Sequence, residues 1–304
     1  MAGSSESRTL VILALVANLI IAVLKFVAAA VTGSAAMLAE GFHSTADSGN
    51  QLFLLRGAAV SRYAPSVMHQ FGRGKELYFW SLMVAVFLFV GGAVVSFYEG
   101  LERFRHPEET TNLVWALGVL GAAAFFEIVI AFWPAVKEFN RRRGSRQVWR
   151  SLRASKDPAL MVVLFEDAAA VLGVFIAASG ILLGEWTGNP RWDGAASMSI
   201  GVLLAVVAFL VAFEVKSLLV GESASRRVRS EIRAAVLSHR NVESIGRLLT
   251  MHMGPTDIVV NLDVDFRAGL SGEDVEASID EIEEAVREVA PSVTQIFVEP
   301  ESAR

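Results

Sequence analysis

The sequence has no cysteine. That absence excludes disulfides, thiolate nucleophiles and the cysteine cages of structural zinc, so any metal must be held by imidazole, carboxylate, amide or backbone groups. Charge is scarce as well: 19% of residues are Asp, Glu, Lys or Arg against 53% hydrophobic, and the mean hydropathy is +0.48. So evenly apolar a chain reads as a polytopic membrane protein and not as a soluble enzyme. No H-E-x-x-H occurs, so the paired histidines of an intramembrane metalloprotease are missing. The opening MAGSSESRTL lacks a charged n-region ahead of a short apolar core and a small-residue cleavage site. No removable signal peptide is therefore predicted, and the first hydrophobic segment is expected to direct insertion. There is no internal repeat and no low-complexity tract. Nucleic-acid binding is a poor reading, because the net charge is −5 and the one arginine run, Arg141 to Arg143, adjoins a hydrophobic segment.

What is present is apolar length. A membrane-crossing helix needs roughly 20 mostly apolar residues, and six stretches qualify: residues 9–32, 35–56, 77–104, 112–136, 158–183 and 194–215. The second, fourth and fifth are interrupted by charges. Arg62, Arg73 and Lys75 mark the second loop and KEFNRRRGSRQVWRSLRASK the fourth, while the first loop, TGS, has no basic residue. Retention of Lys and Arg on the cytoplasmic side then places both termini in the cytoplasm, against a weaker opposing signal from Arg103, Arg105 and Arg191. A bacterial cytoplasmic (inner) membrane is the expected location.

After Val215 the composition becomes that of a small soluble domain. A helix is predicted over Arg226 to Ser238, strands over IGRLLTMHM and DIVVNLDVDF around the turn GPT, a helix over Ser271 to Ala290, and a last strand over SVTQIFVEP. In the second helix Val275, Ile279, Ile282, Val286 and Val289 recur at helical spacing opposite an acidic face. The predicted fold class is thus an α-helical polytopic membrane protein of six transmembrane helices, residues 1–216, followed by a small α+β cytoplasmic domain of αββαβ order, residues 217–304. Under about 100 residues give a modest core, so association with a second copy is expected.

The chemistry lies in AEGFHSTAD, where a greasy segment carries Glu40, His43 and Asp47. Positions i, i+3 and i+7 share a helix face, and His43 with Asp47 forms the i, i+4 pair suited to gripping one ion. At 1.5 Å per residue, Asp47 lies about 18 Å from the outer end of its segment, Asp167 about 15 Å from the inner end of the fifth, and Asn18 about 14 Å from the cytoplasmic end of the first. HSTAD and FED therefore meet near mid-depth, bringing one imidazole and two or three carboxylates together. Ionisable groups at that depth mark a pathway or a relay. The set fits tetrahedral zinc and also admits manganese, iron or cobalt. A structural alternative pairs the carboxylates with Lys25 or Arg56. Glu127, about 22 Å from the outer end of the fourth segment, is expected nearer the cytoplasm than the site, lining the path or pairing with a base. Lys25 is read as a counter-charge.

The order and spacing of GSAAMLAEGFHSTAD, HQFGRGK, EDAAAVLGV and GPTDIVVNLDVDF resemble the cation diffusion facilitators. The resemblance covers nearly the whole chain and is nearest a divergent branch with Glu-Asp on the fifth helix. It implies a dimeric membrane exporter, not an enzyme, that exchanges zinc or a related divalent ion for protons, needs no cofactor, and carries a ferredoxin-like dimerisation domain. The family's helix-two pair falls on His43 and Asp47, and its helix-five pair on Val163 and Asp167. Val163 cannot bind metal. Glu166 is the candidate substitute, although it is turned about 100° around the helix axis from Asp167; Glu40, Asn18 or water are the alternatives.

In the loop His69–Lys75, Arg73 stands where the family has a ligand histidine, so His69 is expected to serve a turn or an interface. Asn261 and Phe297 replace further family histidines, leaving Glu299 without evident partners, and no strong zinc cluster is expected in that domain. His252 is expected as the exposed or interface member of its strand, and His239 and His106 as solvated side chains. Metal and protons competing for His43, Asp47 and Asp167 would give antiport. A non-transporting membrane metal sensor or scaffold is the rival reading.

Overall fold

The computed structural model describes residues 3–109, 112–143 and 158–301; most of the basic fourth loop, residues 144–157, lies outside them. The chain forms two compact units.

Six long helices are seen among the described residues: α1, Gly3–Thr32; α2, Ala35–Val60; α3, Glu76–Arg105; α4, Leu113–Arg141; α5, Pro158–Thr187; and α6, Arg191–Val220. α3 to α6 are long and apolar enough to cross a membrane, and α1 offers the apolar stretch Asn18–Thr32. α2 falls short in apolarity because it carries Glu40, His43, Asp47 and Asn50. Most of the helices outrun the apolar windows. The hydrogen-bond ladder does not stop where hydropathy falls, and nothing in the GAAV that follows Arg56 breaks a helix. Asn112, expected to open the fourth segment, instead precedes α4 with φ 54°, a left-handed geometry that Asn tolerates. Two π-helical stretches, Leu88–Val94 in α3 and Glu127–Phe132 in α4, have no counterpart in the hydropathy pattern.

Two contacts tie α6 to its neighbours. Asp193, in the first turn of α6, accepts hydrogen bonds from Ser34 Oγ at 2.5 Å, Ala35 N at 2.5 Å and Ala36 N at 3.4 Å. It thereby satisfies orphan N–H groups at the start of α2 from another helix. α6 also meets α3 backbone to backbone: a methyl group on Gly201 would stand 2.7 Å from Phe97 N and 2.8 Å from Ala93 O. Only a residue without a side chain permits that approach.

The second unit gathers Ala58–Tyr78 with residues from Lys216 onward. Beyond α6 come α7, Arg226–Leu237; β1, Val242–Gly254; β2, Asp257–Phe266; α8, Gly272–Val289; and β3, Val293–Pro300. This is the αββαβ order read from the sequence. The sheet runs β1-β2-β3, with β1 antiparallel and β3 parallel to β2. Ile232 and Val236 of α7 and Ile282 and Val286 of α8 pack with Val260, Leu262 and Val264 into one core. Ser225 and Ser271 cap the two helices, Ser271 through a capping box with Asp274.

Three expectations for this unit are corrected. Val289 is exposed rather than part of the apolar face, and the neighbouring Ala290 takes the buried place at the helix end. His252 is buried: its N–H donates to Glu222 O at 2.9 Å and its Nδ1 lies 3.3 Å from Gly254 O. Alternation holds from Leu248 to His252, but with the opposite phase to the one expected: Met251 is exposed, and His252 shares the inner face with Leu248 and Thr250. His239 is not solvated, since its Nε2 sits 2.9 Å from Glu281 Oε2. His106 is exposed as expected. His69 forms an exposed turn, exchanging backbone hydrogen bonds with Ser66. In the same loop the guanidinium of Arg73 lies 5.8 Å from the Tyr63 ring centre, and Phe71 lies 6.4 Å from Phe297.

Candidate metal-ion site

α2 turns its polar stripe inward. Glu40 and His43 are fully buried and Asp47 is 17% exposed. On α5, Glu166 is buried and Asp167 is half-buried. Asp47, Glu166 and Asp167 line one cavity of about 50 Å³, with Asn18, Ser44, Gln51, Glu127 and Val163 among the other wall residues. That is room for a small ion or a few waters, since about 10–15 Å³ of such space suffices for one water.

Four oxygens of the cavity-wall residues are buried without a hydrogen-bond partner: Asp47 Oδ1, Asp167 Oδ2, Gln51 Oε1 and Glu127 Oε2. Glu166 Oε1 accepts from Asn50 Nδ2 at 2.5 Å. Despite its angular offset from Asp167, Glu166 shares the cavity wall. His43 stands behind Asp47 with Nε2 3.6 Å from Asp47 Oδ2, and neither ring nitrogen has a hydrogen-bond partner. It is not among the cavity-lining residues. The four predicted residues thus divide into three in the wall and one at its back. Among the described residues no three His, Asp or Glu side chains converge closely enough to enclose an ion, so the carboxylates stand apart around the space. Val163 lines the cavity and offers it no donor.

Lys25 explains where the other charges go. Its buried Nζ donates to Glu40 Oε2 at 2.9 Å, Ser44 Oγ at 2.9 Å and Glu127 Oε1 at 2.7 Å. The counter-charge expectation for Lys25 therefore holds. Glu40 turns to Lys25 and packs its carboxylate against Gly173 of α5, where a methyl group would collide with Oε1. Like His43, it is not in the cavity wall, while Asn18 does line the space. The depth expected for Glu127 is also corrected: it shares the wall with Asp47 and Asp167. Residue counting gives a distance along one helix and carries no information on how α4 is set against α2 and α5.

Sequence reasoning missed Ser44, Asn50 and Gln51. The signal was available, because Asn50 and Gln51 follow Asp47 at i+3 and i+4 and therefore extend its face by a turn.

Residues 11–220 match the model of the cation efflux transmembrane domain. The chain is 31% identical over 268 residues to the mouse protein named proton-coupled zinc antiporter SLC30A9, mitochondrial, an overlap of 86% of this chain and 47% of that relative. It is 29% identical to metal tolerance protein C4 of Arabidopsis thaliana, covering 87% of this chain and 58% of the relative. With zinc transporter ZitB of Escherichia coli K12 the identity is 28%, over 73% of this chain and 69% of the relative. The chain spans about half the length of the first two of these relatives. The family match over most of the chain, together with the helical architecture and the small αββαβ domain, makes this chain a member of the cation diffusion facilitator family.

Proposed function

We propose that this chain exports a divalent metal cation, zinc first and manganese, iron or cobalt as alternatives, through the cavity between α2 and α5. The observation that carries the reading is the set of partnerless oxygens on Asp47 and Asp167, buried in the wall of an ion-sized space beside Glu166. Unpaired carboxylate oxygen away from water is costly, and a cation relieves that cost. The names of the mouse and E. coli relatives agree with zinc as cargo.

Proton coupling follows from the chemistry of the donors. Carboxylate and imidazole groups that take protons without metal must release them to bind it, so the two cargoes exclude each other. Alternating exposure of one site to the two sides then gives antiport. His43, set behind Asp47, would join the metal or hold a proton for it. Six membrane crossings with both termini in the cytoplasm, pairing of two copies through the αββαβ domain, and a bacterial inner membrane complete the proposal.

Purified protein in liposomes with an imposed pH gradient should accumulate Zn²⁺ and move protons the other way. Alanine at Asp47 or at Asp167 should abolish both fluxes, and full transport by either variant would remove the site assignment. Val163, which offers the cavity no donor, is what favours a non-transporting metal sensor. In that case wild-type protein would bind Zn²⁺ and move none.

A further inference from the structure

The proposed site draws on α2 and α5, but the cavity has a third acidic wall. Glu127 opens the π-helical stretch of α4, a local geometry that concentrates at functional positions. Its two oxygens have different fates. Oε1 accepts from Lys25 Nζ at 2.7 Å, whereas Oε2 is buried with no hydrogen-bond partner and the side chain lines the same space as Asp47 and Asp167.

Lysine has three N–H donors. All three of Lys25 are taken, by Glu40, Ser44 and Glu127 Oε1. None remains for Glu127 Oε2. The clamp also limits rotation of the carboxylate, because the ammonium is fixed on its other side by two groups of α2. One oxygen is therefore tied back and the other left at the cavity. A simple ion pair needs no π-helical turn at its carboxylate and no placement in a cavity wall.

We propose that Glu127 contacts the transported cation through Oε2, as a carboxylate ligand from α4, and that Lys25 is its positioning residue. This rests on the cavity being the transport site. It makes the ion's surroundings richer in oxygen than α2 and α5 alone provide, and oxygen-rich sets favour Mn²⁺ relative to Zn²⁺.

The test is calorimetric binding of Zn²⁺ and of Mn²⁺ to the full chain in detergent, for wild type, E127Q and D47N. E127Q keeps an amide oxygen to accept from Lys25 and loses the anionic donor. Zn²⁺ affinity should fall by about tenfold or more and Mn²⁺ affinity further, so that the Zn²⁺/Mn²⁺ ratio rises. Binding of both ions by E127Q within about twofold of wild type, with D47N disabled, overturns the role of Glu127 alone. Equal weakening for both ions also overturns it, because a purely structural loss does not discriminate. Wild-type affinity in D47N, or no binding by wild type, overturns the site reading and this inference with it. If E127Q is not recovered as a monodisperse protein, E127D serves: it keeps the charge beside Lys25 and shortens the reach into the cavity. The same fall and the same shift in ratio are expected, and unchanged affinities overturn the proposal.

Discussion

In the αββαβ domain the side chains sealed between sheet and helices include Ile232, Val236, Leu262, Ile282 and Val286, while in the helical bundle the fully buried ones include Lys25, Glu40 and His43. The outer surfaces are reversed as well. Leu19, Ile20, Val23, Phe209 and Phe213 of the bundle are exposed, whereas Arg227, Arg247 and Asp274 of the domain are exposed charges. A helix facing lipid gains nothing by hiding its apolar side chains, since hydrocarbon lies outside already. Its interior can then be given to polar groups, at the cost of satisfying each one. A domain in water has the opposite constraint and specifies its fold by apolar burial.

The largest effect that can break this contrast is expected at Lys25. Lys25→Met would leave Glu40 and Glu127 buried without their shared cation, and breaking a buried pair costs roughly 3–5 kcal/mol. Thermal unfolding of the detergent-solubilised chain should show a marked drop in midpoint, and adding Glu40→Gln should recover part of it. A variant that melts with the wild type would mean that buried charge does not join α1 to α2 and α4. The counterpart in the other half is milder. Ile282→Val removes one methylene from a closed apolar core, and changes of this kind cost roughly 0.5–1.5 kcal/mol. Amide exchange in the full chain should quicken across α8 and the strands while Zn²⁺ binding stays as in wild type. Altered Zn²⁺ affinity would show that the two halves are not energetically separable.

The same contrast decides what could be read from the sequence. The αββαβ order followed from periodicity because each element of a water-exposed domain has one apolar face; the GPT turn and the DIVVNLDVDF strand are where the pattern places them. His252 escaped because the apolar Met251 and Met253 on either side of it suggest the opposite phase for β1, whereas Met251 is exposed. In the bundle, apolar windows located the helices but could not orient them, since lipid-facing and helix-facing residues are both greasy. Orientation came only from the polar exceptions. Asp47, Glu166 and Asp167 were legible for that reason, being costly residues spaced on facing helices. Glu127 was visible as a charge and wrongly placed in depth, because its place beside Asp47 and Asp167 depends on how α4 packs against α2 and α5, which residue counting along one helix does not give. The threefold grip of Lys25 was out of reach, as it joins residues up to 102 positions apart.

The smallest effect lies at the surface of the domain and sharpens the comparison from the other side. Asp274 accepts from Ser271 N at 2.9 Å and from Ser271 Oγ at 2.6 Å, while its own N–H donates to Ser271 Oγ at 3.2 Å. These bonds favour the ionised form and hold the carboxyl below the usual carboxylate range. A carboxylate whose folded value is depressed stabilises the fold fully above its unfolded value, about 3.9, and that contribution is lost as pH falls through the lower folded value. The expected window is therefore acidic, below about pH 4. Carboxyl-carbon NMR should show Asp274 titrating below the unfolded value, and amide protection at the start of α8 should decline over the same interval. In Asp274→Asn that pH dependence should vanish while protection elsewhere in the sheet is unchanged. Titration of Asp274 at the ordinary value would show that the capping box adds nothing, and that water screens even a well-formed surface charge contact. The buried carboxylates of the bundle have no such screening, which is why one lysine there can set the positions of two of them.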